Sequence, residues 1–297
     1  MRSFKLRTGN NKAYLINKNE FELKTGQKQP YYTVDEKGIK RQFAVCPACD
    51  NPIQIIGLYK ELKNTDKPYG KHYMSDVKGL AYYNEQAYRY CPYSNNKVTV
   101  TANSRKEKLT DLEKSIYNTL RDNFDRVIYF LSKVLDMRIS YAKAEEMLYK
   151  FVNVEGWMYS WATIANLPYV FAHLTWSKSL YGQFILVNSD LYRNLKEHKN
   201  VRFEKVEGID DYERLLSAPN SYVDIEFCVI VHERKLVDDQ LDETMMMYVT
   251  DCITGETLYT KQLVIKENRF LNLISKESEY RNQRLLELAK RLMPDLR

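Results

Sequence analysis

The chain has 297 residues, of which 44% are hydrophobic and 28% charged, enough for a sizeable core and for two domains. Gly and Pro are few (10 and 8), and no run of about 18 uncharged apolar residues occurs, which argues against long flexible linkers, wholesale disorder and a transmembrane helix. The net charge of +6 is uneven: residues 1–110 hold 20 Lys and Arg against 10 Asp and Glu, a net of +10, and the rest of the chain stands at −4.

Such asymmetry points to a first third that meets a polyanion, nucleic acid first, with a soluble Lys-rich surface as the plainer alternative. The N-terminus is charged and develops no apolar stretch of the kind a secretory signal needs. Five unevenly spread cysteines fit a reducing compartment better than a disulfide framework. A cytoplasmic protein is expected.

Taken in chain order, residues 1–45 read as a β-meander. "SFKLRTGNNKAYLI" places a Gly-Asn-Asn turn between two arms, and "YYTVDEKGIKRQFAVC" places Asp35–Gly38 between two more. Residues 50–100 lack periodicity and read as loop-rich, which in a compact domain calls for an organiser. Thr110 and Glu113 form a T-x-x-E capping box, followed by helical spacing of apolar residues as one long helix to about 136. A second helix centres on Ala144–Val152, and a third starts at Asn166 with Pro168 in its first turn. Trp157, Trp161 and Trp176, with Tyr159, Tyr169, Phe171 and His173 interleaved, read as core. Beyond 183 the expected order is strand "QFILVN", helix "SDLYRNLKEH", strand "VRFEKV", helix "DDYERLLS", long strand 222–234, a hairpin around Ile253–Glu256, and a closing helix. The fold class is therefore α+β: a β-rich metal-organised domain at 1–105, then helices and a mixed sheet at 106–297.

The loop-rich stretch contains its own organiser. Cys46 and Cys49 have C-x2-C spacing, and a C-P-x-C turn can aim two thiolates at one ion. The other Cys or His residues before 173 are His72 and Cys91, completing a Cys3His set with intervals of 2, 22 and 18 residues. Four protein ligands describe a closed, structural Zn²⁺ site that would fold a segment poor in apolar residues. The alternative leaves Cys46 ending a strand, Cys49 in its turn and His72 on the surface. A redox C-x-x-C would sit at a helix start in a βαβ unit, which the strand-and-turn pattern opposes. A deaminase site would need an upstream H-x-E, which is missing. The C-x-x-C with a distant His and Cys resembles a zinc-ribbon-type knuckle over residues 40–95.

Within the segment the ligands enclose, Lys67, Tyr69, Lys71, Lys78 and Arg89 mix cations with aromatic rings, as a surface for phosphates and stacked bases would. The competing reading packs the tyrosines around the metal and leaves the lysines solvated. No P-loop, dinucleotide fingerprint, nucleophile elbow or H-E-x-x-H is present, and neither Glu226 nor Glu256 opens an E-x-K. On strand 222–234, alternation puts Asp224, Glu226 and His232 on one face, a candidate Mg²⁺ or acid–base set for a nuclease; a wet sheet face is the plainer reading. The expectation is a zinc-stabilised nucleic-acid-binding protein without catalytic activity of its own. The alternatives are a metal-dependent nuclease, and an adaptor whose acidic C-terminal part meets another protein. A membrane partner is not expected.

Overall fold

The computed structural model describes residues 1–9, 12–34, 38–60, 62, 67–94, 98–175, 177–237, 240–276 and 281–296. The chain divides into two compact units: residues 1–116, 158–165 and 234–242 form unit 1, and residues 117–157, 166–233 and 243–297 form unit 2. Helices and antiparallel sheets together make the fold α+β.

In unit 1, β1 (Ser3–Phe4) pairs with β2 (Tyr14–Leu15). Helix α1 (Lys18–Thr25) follows, capped by the Asn17 side chain and closed by Gly26 at φ 58. This helix departs from the expected meander: only Phe21 and Thr25 of α1 are buried, so no apolar stripe marks it, and the caps carry the signal. A four-stranded sheet comes next, from β3 (Tyr32–Val34), β4 (Lys40–Val45), β5 (Pro52–Ile56) and β6 (Tyr69–His72) in that spatial order, all antiparallel. A short helix, α2 (Glu85–Arg89), is capped by Asn84. The stretch expected to be loop-rich thus carries two strands and a helical turn. Both expected meander turns fall largely on Asn10, Asn11 and Asp35–Lys37, outside the described residues. The core is a cluster of Phe4, Phe21, Ala44, Ile53, Ile55 and Ala87 that also takes in Cys46, Cys49 and Cys91.

Helix α3 (Asp111–Asp122) starts in unit 1 and ends in unit 2. Glu113 reaches back to the Thr110 amide at 2.9 Å, which is the expected capping contact. The single long helix expected to 136 breaks at Asn123 (φ −131, ψ 26), and α4 (Phe124–Val134) continues as a separate helix. Unit 2 then runs through β7 (Met137–Arg138), α5 (Tyr141–Asn153), α6 (Leu167–Leu174), β8 (Lys178–Ser179), β9 (Phe184–Leu186) and α7 (Asp190–Lys196). Next come β10 (Val201–Val206), β11 (Ile209–Ser217), β12 (Ile225–Val237), β13 (Gln240–Asp251), β14 (Thr257–Val264), α8 (Glu267–Ser275) and α9 (Gln283–Leu292). The far ends of β12 and β13 belong to unit 1.

Two four-stranded sheets order as β10-β11-β9-β7 and β14-β13-β12-β8. The second expected helix of this region, "DDYERLLS", is strand β11. Its residues Glu213–Ser217 pair in register with Val201–Lys205 across a turn at Gly208 (φ 78), and pairing on both edges outweighs local helix propensity. The helical core is aromatic: Phe171 packs 5.6 Å from Phe124 and 5.2 Å from Phe151, and Phe130 lies 5.5 Å from Tyr169. Trp157, Tyr159, Tyr169, Phe171 and His173 are buried as expected, whereas Trp161 is only half-buried; Trp176 lies outside the described residues.

Candidate metal centre

The local sequence explains how four distant ligands meet. Strand β4 ends at Val45, and Cys46-Pro-Ala-Cys-Asp reverses the chain into β5. The turn is closed by the Cys46 amide donating to the Asn51 carbonyl (2.8 Å) and the Asp50 amide to the Cys46 carbonyl (3.2 Å). Asp50 takes the left-handed region (φ 59), which Asp tolerates better than most residues. Its carboxylate is anchored by the Lys5 ammonium and by the Gly9 amide at 3.0 Å. His72 ends β6, paired with Ile53 of β5, so it stands beside the turn. Two residues earlier, Gly70 is closely packed: a Cβ would fall 2.8 Å from Ile53 Cδ1 and 3.1 Å from Met1 Cγ, so the buried Ile53 side chain would have to shift. Cys91 follows Tyr90, the residue that closes α2.

The donor atoms of Cys46, Cys49, His72 and Cys91 all lie within 4.8 Å of one another, and the three cysteines are buried. Cys46 Sγ and Cys91 Sγ are 3.7 Å apart, and Cys49 Sγ is 3.3 Å from His72 Nε2. Two sulfurs bound at about 2.3 Å to one tetrahedral ion stand about 3.8 Å apart, and a sulfur–nitrogen pair about 3.6 Å. The cluster therefore has the dimensions of a tetrahedral metal site and could hold a metal ion. The expected four residues are the four brought together.

The electrostatics suit a cation. Burial pushes the Cys49 thiol up, but contacts with Cys46, Cys91 and the Asn51 amide outweigh it and hold Cys49 well below the ordinary thiol value. Burial, reinforced by its neighbouring sulfurs, pushes Cys91 well up. Thiols this close cannot all ionise without a compensating positive charge, which a bound ion supplies.

Asn51 was not among the expected site residues. It is fully buried, and its side-chain amide donates to Cys49 Sγ (3.3 Å) and to the Asn84 carbonyl (3.0 Å), while its oxygen accepts from the Asn84 amide at 2.6 Å. Asn84 in turn caps α2 by accepting from the Ala87 amide at 2.9 Å. One asparagine thus ties the Cys46–Cys49 turn to the helix that delivers Cys91. Its position right after C-P-A-C-D is the only sequence signal for it. The His72 ring meets Tyr88 of α2 edge-on at 5.0 Å.

The residues expected to meet nucleic acid surround this cluster along the chain. Lys67, Lys71, Lys78 and Arg89 are exposed and Tyr69 is half-buried. Lys71 precedes the ligand His72, and Arg89 stands two residues before Cys91, its guanidinium 3.8 Å from the Glu107 carboxylate.

The candidate nuclease set does not assemble as alternation predicts. Val223, Ile225, Phe227 and Val229 are buried in turn, but Val231 is exposed and holds φ 56, a conformation that a β-branched residue resists. The phase of the strand slips there, as at a β-bulge, and His232 turns inward. Its Nε2 meets Glu243 Oε1 at 2.6 Å, the same oxygen that accepts from the Asn166 amide at 2.8 Å. Asp224 and Glu226 gather instead with Cys252, within 4.8 Å, where the cysteine is exposed.

Among the described residues, no helix is long and apolar enough to cross a membrane. No protein-family model matches the chain, and no curated protein or solved structure matches it either.

Proposed function

We propose that the chain is a zinc-stabilised nucleic-acid-binding protein of a reducing, cytoplasmic compartment, with no catalytic activity of its own. The observation that carries this is the Cys3His cluster, which could hold a metal ion, with the exposed cations Lys71 and Arg89 close to its residues along the chain. Three thiols and one imidazole suit Zn²⁺, which takes four such ligands in structural sites. With all four positions filled by protein, the ion would fold the segment between residues 46 and 91. It would thereby fix Lys71 and Arg89 next to their neighbouring ligands. Each lysine meeting a phosphate displaces a counterion, so affinity falls with salt. Five unevenly spread cysteines, three of them in the cluster, leave too few for a disulfide framework, which supports the reducing compartment.

The test has two parts. Metal analysis of the purified chain should give about one equivalent of zinc, and less than about a tenth would remove the site. Titration of labelled single- and double-stranded DNA and RNA at two salt concentrations should show binding that the joint change Lys67→Gln, Lys71→Gln and Lys78→Gln weakens, with a flatter salt dependence. A mutant indistinguishable from wild type would remove this surface.

The Asp224, Glu226 and Cys252 cluster favours one second reading, a Mg²⁺-dependent nuclease. Cleavage of nucleic acid that requires Mg²⁺ and is lost in Glu226→Gln would put that reading first.

A further inference from the structure

Unit 2 contains a half-open groove of about 1280 Å³. That exceeds the roughly 300–1,000 Å³ of usual small-molecule pockets, so its size suits a stretch of polymer better than a metabolite. Among the described residues its lining carries six cations, Arg126, Lys133, Arg138, Lys276, Arg281 and Arg284, and one carboxylate, Asp125. This concentration arises in the part of the chain beyond residue 110, which has a net charge of −4. Average surface composition therefore does not account for it.

The single carboxylate is already used: Asp125 is engaged by Arg281 through two bonds, of 2.7 and 2.8 Å. Arg126 is held by the neutral carbonyls of Ile274 (2.6 Å) and Lys276 (2.7 Å), which orient the guanidinium without offsetting its charge. The N-caps of α5 and α9, Ser140 and Asn282, also line the groove, adding the positive ends of two helix dipoles. Aromatic rings share the same walls: Tyr129, Tyr141, Phe184 and Tyr212. Tyr129 is 56% exposed, the Lys133 ammonium lies 5.9 Å from its ring centre, and Arg284 stacks 3.9 Å over Tyr141.

Cations that track a backbone, beside an exposed ring that accepts any base, are the elements of single-strand recognition; here that ring is Tyr129, since Arg284 already covers Tyr141 and Arg214 lies over Phe184. A duplex would keep its bases stacked inside and leave the rings idle. We propose that this groove binds a single-stranded nucleic-acid segment, with Lys133, Arg138 and Lys276 on phosphates and Tyr129 under a base. The proposal rests on the reading of the chain as a nucleic-acid binder and adds to it a second contact surface, within unit 2.

The test uses the full-length chain and a labelled oligothymidylate of about twelve nucleotides, read by anisotropy at two salt concentrations. Changing Lys133, Arg138 and Lys276 together to Gln should lower affinity at low salt at least about tenfold and reduce the salt slope by about 2. Tyr129→Ala should weaken binding about tenfold with the slope unchanged, and Tyr129→Phe should retain it, separating stacking from charge. Urea midpoints equal to wild type would show these surface changes leave the fold intact. A groove mutant that binds like wild type, while the Lys67, Lys71 and Lys78 mutant is weakened, overturns the groove and leaves the wider reading standing. The reverse pattern supports the groove and removes the loop surface around the metal. Displacement by polyglutamate as effective as by unlabelled oligothymidylate, with Tyr129→Ala neutral, overturns the groove as a nucleic-acid site. Absence of wild-type binding removes both.

Discussion

At the residue scale, Asn51 decides how well the metal cluster is preorganised. Its amide satisfies a buried sulfur, and its oxygen locks the segment carrying Cys91. Outer contacts of this kind commonly hold about 10–100-fold in metal affinity. Asn51→Leu should weaken zinc by that factor in a chelator competition while leaving all four ligands in place; unchanged affinity would show that the ligands alone set it. The four residues of the cluster were legible because cysteine and histidine are scarce in the first 172 residues, so elimination selects them. Asn51 was not legible, because a neutral side chain acquires its role only when β5 and α2 come together. Lys178 gives a second residue-scale expectation. Its side chain is buried against the Thr175 carbonyl, 3.7 Å from Glu146. Burial, with Lys150 nearby, depresses its pKa to about 7. An unfolded lysine keeps its proton to about 10.4. Between those values the unfolded chain holds a proton the folded chain lacks, so this residue's contribution to stability rises with pH from about 7 to about 10. Urea unfolding at pH 7 and pH 9 should show that rise reduced in Lys178→Met. Identical differences in the two proteins would place the folded-state proton elsewhere.

At the scale of elements, β12 shows where pattern reading succeeds and where it stops. Alternation located the strand and its buried residues up to Val229. It could not foresee a left-handed Val231, because side-chain polarity records no backbone twist. A left-handed non-glycine residue costs about 1–2 kcal/mol, and Asn tolerates that region far better than Val. Val231 is exposed, so little burial is lost on replacing it. Val231→Asn should therefore stabilise the protein by about 1 kcal/mol in urea unfolding; a loss of that size would mean the valine packs in a way its exposure hides. The same limit explains α1 and β11. The first is marked by Asn17 and Gly26 rather than by an apolar stripe, and the second reads as helix until β10 and β9 offer it partners. Helices α5 and α9 were legible because each buries a face at helical spacing, α4 only as the continuation of α3, and α6, which is buried on every side, through Pro168 in its first turn.

At the scale of the whole molecule, unit 1 is assembled from three stretches of chain. The first holds every metal ligand. The second supplies backbone partners: the Lys106 amide donates to the Met158 carbonyl at 2.8 Å and the Ser160 amide to the Ser104 carbonyl at 3.1 Å. The third brings Arg234, whose guanidinium lies 5.5 Å from the Trp161 ring centre. Composition carries no trace of these returns. A fragment of residues 1–116 should still take up one metal ion, seen with cobalt as thiolate charge-transfer bands, yet unfold at lower urea than the cobalt-loaded full chain. Equal midpoints would make the two returning segments dispensable. The arrangement also imposes an order on biosynthesis. On the ribosome all four ligands emerge by residue 91, whereas the last piece of the unit emerges only with residue 242. A nascent chain thus presents its complete Cys3His set long before the surrounding unit can close, so an ion held by that set would be within its reach during translation as well as after release.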